Sequence, residues 1–325
     1  MNIKTKYKRS FSWVGSIGIV LALVLLVLVG MPLYAASLLL HQRYDVQQRD
    51  SLEFGIESQY ITLTTSDDLN LAAWRTFAET EGGSPYGTVI ILSGIQRPSV
   101  TEFFGYADML AQEGWDALLI EKRARGSSEG TTIGLGFTEW KDVQAGVEFL
   151  DADQRAGDFP IVAMGTSAGG ATVLTAGGNV PRIDGVISIS GYSTWTEAYV
   201  DNAVEVGIPR FVAVASSPFM DLIVGARFGF DVTGNTPAHA LEYFGTRPLL
   251  LMHSTEDHHV PITHFNRLQK EARAFNIPLS TFVREGDWHF VVYDHYIEDP
   301  VQDDEFSQSI LGFLNQFEEG SNGQD

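Results

Sequence analysis

The stretch Ile161 to Val173, IVAMGTSAGGATV, constrains this chain more than any other. The apolar run Ile161–Met164 reads as a buried parallel strand, and Gly165-Thr166-Ser167-Ala168-Gly169-Gly170 turns it sharply into a helical pattern. Such a turn forces Ser167 into a strained backbone conformation. The flanking glycines are required because a Cβ there would strike the neighbouring strand or helix. The Ser167 hydroxyl is then held at the carboxyl end of a sheet, and the new helix aims its free N–H groups, that of Ala168 first, at any oxyanion formed there. A glycine-rich turn with an idle serine is spelled with the same letters, so the surrounding elements must decide.

Those elements alternate. Tyr60–Thr64 shows period two and Ser66-Asp67-Asp68 turns it into Leu69–Arg75, an antiparallel hairpin. Thr88–Leu92 is continuously apolar, as a central strand requires, and ends at Ser93-Gly94-Ile95-Gln96. A helix over Val100–Glu113 precedes the strand Trp115–Ile120, and a helix over Thr138–Asp151 leads into the Ser167 strand. Asp184–Ser190 and Arg247–Met252 read as further buried strands. A helix over Ile262–Phe275, the strand Leu279–Val283 and an amphipathic helix from Asp303 to Phe317 complete the pattern. Strands alternating with helices imply a mostly parallel central sheet with helices on both faces. The segment from about 194 to 241 breaks the rhythm with many apolar residues and two prolines, Pro209 and Pro218; it reads as a helical cap lining a substrate pocket. Ordinary core packing and contact with a bilayer are the other readings of its apolar residues.

Phe11 to Leu40 carries no charged residue and is long enough to cross a bilayer with some tilt. A cleaved signal would have a shorter apolar region, and Leu33-Tyr34-Ala35-Ala36 is a poor cleavage site, so an uncleaved anchor is expected. Lys4, Lys6, Lys8 and Arg9 precede the span, which puts the N-terminus in the cytoplasm and the folded domain on the outer, periplasmic or extracellular, side. All 41 acidic residues follow residue 10, and the formal charge is −20; nucleic acid is an unfavourable partner for such a surface. With no cysteine, disulfides, thiolate metal sites and cysteine nucleophiles are excluded. No nucleotide-binding glycine loop is present, and no cofactor is expected. His258, His259 and His264 beside Glu256 and Asp257 read as polar loop and helix-start residues rather than as a metal cluster, so no metal is expected.

Taken together these landmarks resemble the α/β-hydrolase family from about Tyr60 to Phe317. His253-Ser254-Thr255-Glu256-Asp257-His258-His259-Val260-Pro261 is similar to the family's His-Gly-x-x-Asp-x-x-Val-Pro acid loop except at Ser254, and Gly286-Asp287-Trp288-His289 to its histidine turn. The loop Glu121–Gly130 looks like the Asp-x-Arg-Gly-x-Gly-x-Ser-x-Gly stretch of monoacylglycerol-lipase-like and serine-aminopeptidase-like members, with Glu121 and Ala124 as departures. Arg227–Asp231 and Pro237-Ala238 look like the short-cap, membrane-anchored subset. The resemblance implies an α/β-hydrolase fold with a catalytic set Ser167, Asp257 and His289 in the family's chain order. It also implies an oxyanion hole built from the backbone N–H groups of Ile95 and Ala168, although Ser93 replaces the family's usual histidine before Gly94. Asp257 follows an adjacent strand end, which favours it over Asp287 as the partner of His289.

The implied organisation is a basic arm (1–10), an anchor (11–40), a linker (41–57), the hydrolase domain (58–317) and a polar tail (318–325). The expected function is a membrane-anchored serine hydrolase acting on carboxylic esters, lipid-like ones included, through an acyl-enzyme. Peptide or amide hydrolysis, and a catalytically silent binding protein on the same fold, are the alternatives.

Overall fold

The computed structural model describes residues 13–40, 43, 45–80, 84–95, 99–134, 136–153, 159–230 and 234–321. The expected basic arm, 1–10, and the end of the polar tail, 322–325, lie outside the described residues, as do Gln96 and Asp231.

In chain order the elements are α1 (Trp13–Leu39), β1 (Gln59–Thr64), β2 (Asn70–Thr76), β3 (Gly87–Leu92), α2 (Phe104–Gln112), β4 (Trp115–Ile120), α3 (Trp140–Ala152), β5 (Ile161–Thr166) and α4 (Ala168–Asn179). There follow β6 (Gly185–Ile189), α5 (Trp195–Glu205), α6 (Arg210–Phe228), the single turn α7 (Pro237–Ala240), β7 (Leu249–Ser254), α8 (Thr263–Ala274), β8 (Leu279–Arg284) and α9 (Asp304–Ser321). The strands form one sheet in the order β1-β2-β4-β3-β5-β6-β7-β8. The hairpin strands are antiparallel, pairing Gln59 with Arg75 and Thr64 with Asn70, and β2 joins β4 antiparallel; the other pairings are parallel.

Continuous apolar strands are buried on both faces, as a parallel sheet covered by helices demands. Alternation divides them: Val89, Ile91, Val162 and Met164 pack with residues of α2 and α9, whereas Ile90, Leu92, Ile161 and Ala163 pack with residues of α3, α4 and α8. The expected helix at Val100 opens as a 3₁₀ turn, Val100–Phe103, before becoming α2, and Gly114 ends it at φ +84°. The 194–241 insert is helical as expected: Thr194 caps α5, Pro209 precedes α6, and Pro237 stands at the start of α7.

The linker departs from its reading as a polar connector. Arg43 donates to the carbonyls of Gly126 and Gly130 at 3.0 Å each, Gln48 to Ser127 at 2.9 Å, and the Arg49 amide to Thr101 at 2.9 Å. A 3₁₀ turn, Ser51–Phe54, is closed by a capping box from Asp50 and Glu53. Polar composition marks residues with no apolar face, yet the side chains of Arg43 and Gln48 and the backbone of Arg49 each have a backbone or hydroxyl partner on the domain. The last turns of α1 also pack against the cap, with Ala36 and Leu40 in one buried cluster with Trp195, Met220 and Val224.

Candidate active site

Parallel strands place their carboxyl ends, and the loops that leave them, on one edge of the sheet. Ser167 follows β5, Ile95 follows β3, Asp257 follows β7 and His289 follows β8, so all four gather on that edge. Ser167 sits at φ 55°, ψ −120°, a conformation unfavourable for a residue with a Cβ. Its N–H donates to Ile189 O at 2.7 Å, tying the elbow to β6. A Cβ on Gly165 would collide with the backbone of Gly169, and one on Gly169 would lie 2.7 Å from the carbonyl oxygens of Leu92 and Ser93. A Cβ on Gly94 would meet the Ser167 Cβ at 3.0 Å and the Thr166 carbonyl oxygen at 3.3 Å, so glycine there lets the β3 loop approach the elbow closely.

Asp257 is buried and faces His289: Nδ1 of the imidazole donates to Oδ2 and Oδ1 at 2.9 and 3.1 Å. Oδ1 also accepts the N–H groups of His259 (3.0 Å) and Val260 (2.9 Å), which fix the carboxylate's plane. Burial pushes the Asp257 carboxyl up, but the hydrogen bond and charge of His289 and the Val260 amide outweigh it and hold the group below its ordinary value. The loops carrying acid and histidine are laced together, Gly286 N–H donating to Thr255 Oγ1 at 3.0 Å and Trp288 N–H to Ser254 Oγ at 3.2 Å. Asp287 points away, accepting from His258 Nδ1 at 2.7 Å on the surface.

Ser167, Ala168, Ile95 and His289 border one cavity of about 130 Å³. The cap supplies Trp195, Ala198, Tyr199, Asn202 and Met220 to its wall, and Tyr192, His259 and Val260 complete it. Ser167 Oγ makes no hydrogen bond with His289 among the described residues, a contact that often tightens only when substrate is bound.

Sequence reasoning missed Arg125. A charged residue in a loop reads as solvated, but this one is 1% exposed, and its guanidinium donates to the Ile95 carbonyl. Its Nε lies 3.9 Å from Glu121, whose carboxylate accepts Ser99 Oγ at 2.6 Å and the Val100 N–H at 3.2 Å. Burial pushes the Glu121 carboxyl up, against the pull of Ser99 and Arg125. The only signal in the sequence was the resemblance of the whole Glu121–Gly130 loop.

The histidines separate. Ser193 Oγ and N–H approach His264 Nδ1 at 2.9 and 3.1 Å, and Asp201 takes its Nε2 at 3.1 Å, joining the cap to α8. His258, His259 and Glu205 place potential ligand atoms within 4.8 Å of one another on the surface, the one such grouping among the described residues. His259 stacks edge-on to His289 at 5.0 Å, and burial together with the charges of His289 and His258 lowers its pKa.

Comparison with known proteins agrees with this architecture. Residues 83–228, somewhat under half of the chain, match the family described as serine aminopeptidase, S33. The uncharacterized protein YqkD of Bacillus subtilis is 25% identical over 211 residues, covering 63% of this chain and 66%, just under two thirds, of that protein. The esterase Pf2001 of Pyrococcus furiosus superposes with a TM-score of 0.65 at 19% identity, over 85% of this chain and 98% of the esterase. The acylaminoacyl peptidase of Pyrococcus horikoshii does so with a TM-score of 0.58 at 18% identity, over 81% of this chain and 41% of the peptidase. At such identities the superpositions establish the fold alone.

Proposed function

The chain is a member of the α/β-hydrolase superfamily, and from that premise we propose that it is a membrane-anchored serine hydrolase that cleaves carboxylic esters through an acyl-enzyme. One observation carries the reading: Ser167, on its strained elbow, and the imidazole of His289, held by Asp257, border the same cavity. A serine hydroxyl is a weak nucleophile at neutral pH and needs a base. In the proposed reaction Ser167 Oγ attacks the ester carbonyl carbon while His289 Nε2 takes its proton. The same proton passes to the departing alkoxide, which leaves as the alcohol. Water then attacks the acyl-enzyme with His289 again as base, releasing the acid and restoring Ser167. Asp257 keeps the Nδ1–H tautomer and stabilises the imidazolium. The N–H groups of Ala168 and Ile95 receive the oxyanion, and loss of one such donor costs on the order of 3 kcal/mol in the transition state.

The walls given by Trp195, Met220 and Val260 suit an apolar acyl group. About 130 Å³ holds the acyl end of a short ester. Amide or peptide hydrolysis at the same serine is the second reading, favoured by the match to serine aminopeptidases. A fluorophosphonate probe tests the nucleophile, and p-nitrophenyl esters of increasing length beside aminoacyl anilides test the substrate. Labelling of the wild type, lost in Ser167→Ala, with ester turnover exceeding anilide turnover, is expected. Equal labelling of Ser167→Ala, or none of folded wild type, overturns the catalytic reading.

A further inference from the structure

The anchor and the cap helix are not independent. Helix α1 is exposed from Gly15 to Val27 apart from a half-buried Ser16, but Leu28, Val29, Gly30 and Met31 are half-covered and Pro32 and Ala36 are buried. The covering surface is the cap, with α6 packed against α1. At ~1.5 Å per residue α1 from its start at Trp13 to Val27 spans roughly 22 Å, short of the ~30 Å thickness of a bilayer's hydrocarbon core. Filling that core takes the lipid to about Pro32 along α1, and further if the helix tilts. Lipid at that depth meets the cap.

Helix α6 is built for such a neighbour. Phe211, Val214, Ala215, Pro218, Leu222 and Ala226 recur every three or four residues on its outward face, and all are exposed, Phe211 at 77%, Leu222 at 55% and Val214 at 50%. The opposite face, Ala213, Ser216, Met220 and Val224, is buried. A helix on the surface of a water-soluble domain normally shows charge on its outer stripe. Here the charges lie off that stripe and each has a protein partner, although both arginines stay exposed: Arg210 pairs with Asp201 at 2.8 Å, Asp221 accepts from Thr196 at 2.7 Å, and Arg227 donates to Thr132 at 3.1 Å. By length and composition α6 is, with α1, one of two helices among the described residues apolar enough to enter a membrane.

We infer that α6 lies in the leaflet at the C-terminal end of α1, its Phe211–Ala226 face in contact with lipid, so that the cavity walled by Met220 receives its ester from the bilayer. The occupant of the apolar stripe is the bilayer that holds α1, because α6 packs directly on α1 and the exposed part of α1 alone is too short to cross the hydrocarbon core. The substrate class is then an ester that partitions into lipid. This rests on the reading of α1 as a membrane anchor.

The chain has no cysteine, so single labels are unambiguous. Full-length Leu222→Cys, Leu23→Cys and Lys270→Cys, each carrying an environment-sensitive NBD label, are reconstituted into vesicles with and without doxyl-labelled lipid. Fluorophosphonate reactivity verifies that each is folded. The Leu23 and Leu222 labels should be blue-shifted and quenched by the doxyl groups, and the Lys270 label on exposed α8 should be neither. A Leu222 label that the lipid does not quench while the Leu23 label is quenched overturns the inference and leaves the anchor standing; energy transfer between Leu222 labels would then show a second copy on that face. Unquenched labels at both positions remove the anchor and the inference together.

Discussion

The guanidinium of Arg125 grips the carbonyl of Ile95 with both terminal nitrogens, at 3.0 and 2.9 Å. The N–H of the same residue is the proposed second donor to the oxyanion, so the orientation of that donor depends on a buried cation held in turn by Glu121. Arg125→Met removes the grip and takes from Glu121 one of its two neighbouring cations, leaving Lys122. We expect kcat for ester hydrolysis to fall by roughly 10²-fold, the order seen when an oxyanion donor is lost, with KM changed far less. Arg125→Lys, which keeps the charge but not the fork, should fall between. Steady-state kinetics on variants shown to be folded by circular dichroism decide it; a rise in KM with kcat intact would assign Arg125 to packing alone.

Asp257 and Asp287 both lie near the histidine turn, but only Asp257 reaches His289; Asp287 is spent on exposed His258. Asp257→Asn should lower kcat by about 10⁴-fold by disturbing the imidazole tautomer, and Asp287→Asn by no more than a few-fold. The reverse ranking in folded variants would reassign the acid.

What the chain announced in advance follows from which interactions are local. The Ser167 elbow was legible because its geometry needs glycine at 165 and 169, and the two positions stand within one turn of it. The buried strands were legible because a sheet covered on both faces leaves continuous apolar runs such as Thr88–Leu92. Arg125 was not, since its partner is the carbonyl of Ile95, thirty residues earlier in the chain, and nothing in a charged loop marks such a partner. The packing of Arg43 and Arg49 onto the domain was hidden for the same reason: its acceptors, Gly126, Gly130 and Thr101, lie far along the sequence. The outward stripe of α6 was visible as apolar content, but which of those residues face away from the body depends on packing.

Asp67 supplies a test of the loop beneath the site. It accepts Arg123 Nη1 and Nη2 at 2.8 and 3.0 Å and Thr65 Oγ1 at 2.7 Å. Burial pushes its carboxyl up, but Arg123 and Thr65 outweigh this and hold it well below the usual carboxylate range. A carboxyl that is more acidic folded than unfolded stabilises the fold above its unfolded pKa of about 3.9, and that contribution is lost as pH falls from there through the folded value. Asp67→Asn should therefore lower Tm by roughly 2 °C at pH 7, the side chain being partly exposed, with the gap narrowing once pH drops below about 4. Melting curves from pH 7 to 3 check this, and a gap independent of pH would show that the ion pair contributes nothing.

Topology decides where the ester is met. The run from Phe11 to Leu40 has no charge to oppose insertion, and Lys4, Lys6, Lys8 and Arg9 stand on its N-terminal side. Cationic residues beside a span are retained in the cytoplasm, so the acidic domain is expected on the outer side and tethered there. Alkaline carbonate should then fail to extract the protein. Protease added to spheroplasts should digest the domain and spare a fragment containing the N-terminal arm. Linker positions such as Arg43 are held by Gly126 and Gly130, so cleavage between anchor and domain should be slow until the domain itself is opened. Complete protection of the domain in spheroplasts shown to be accessible to the protease would reverse the orientation. A soluble form beginning near Ala36 would show instead that the span is a cleaved signal, and would leave the cap without the contacts that Met31 and Ala35 make with it in this structure.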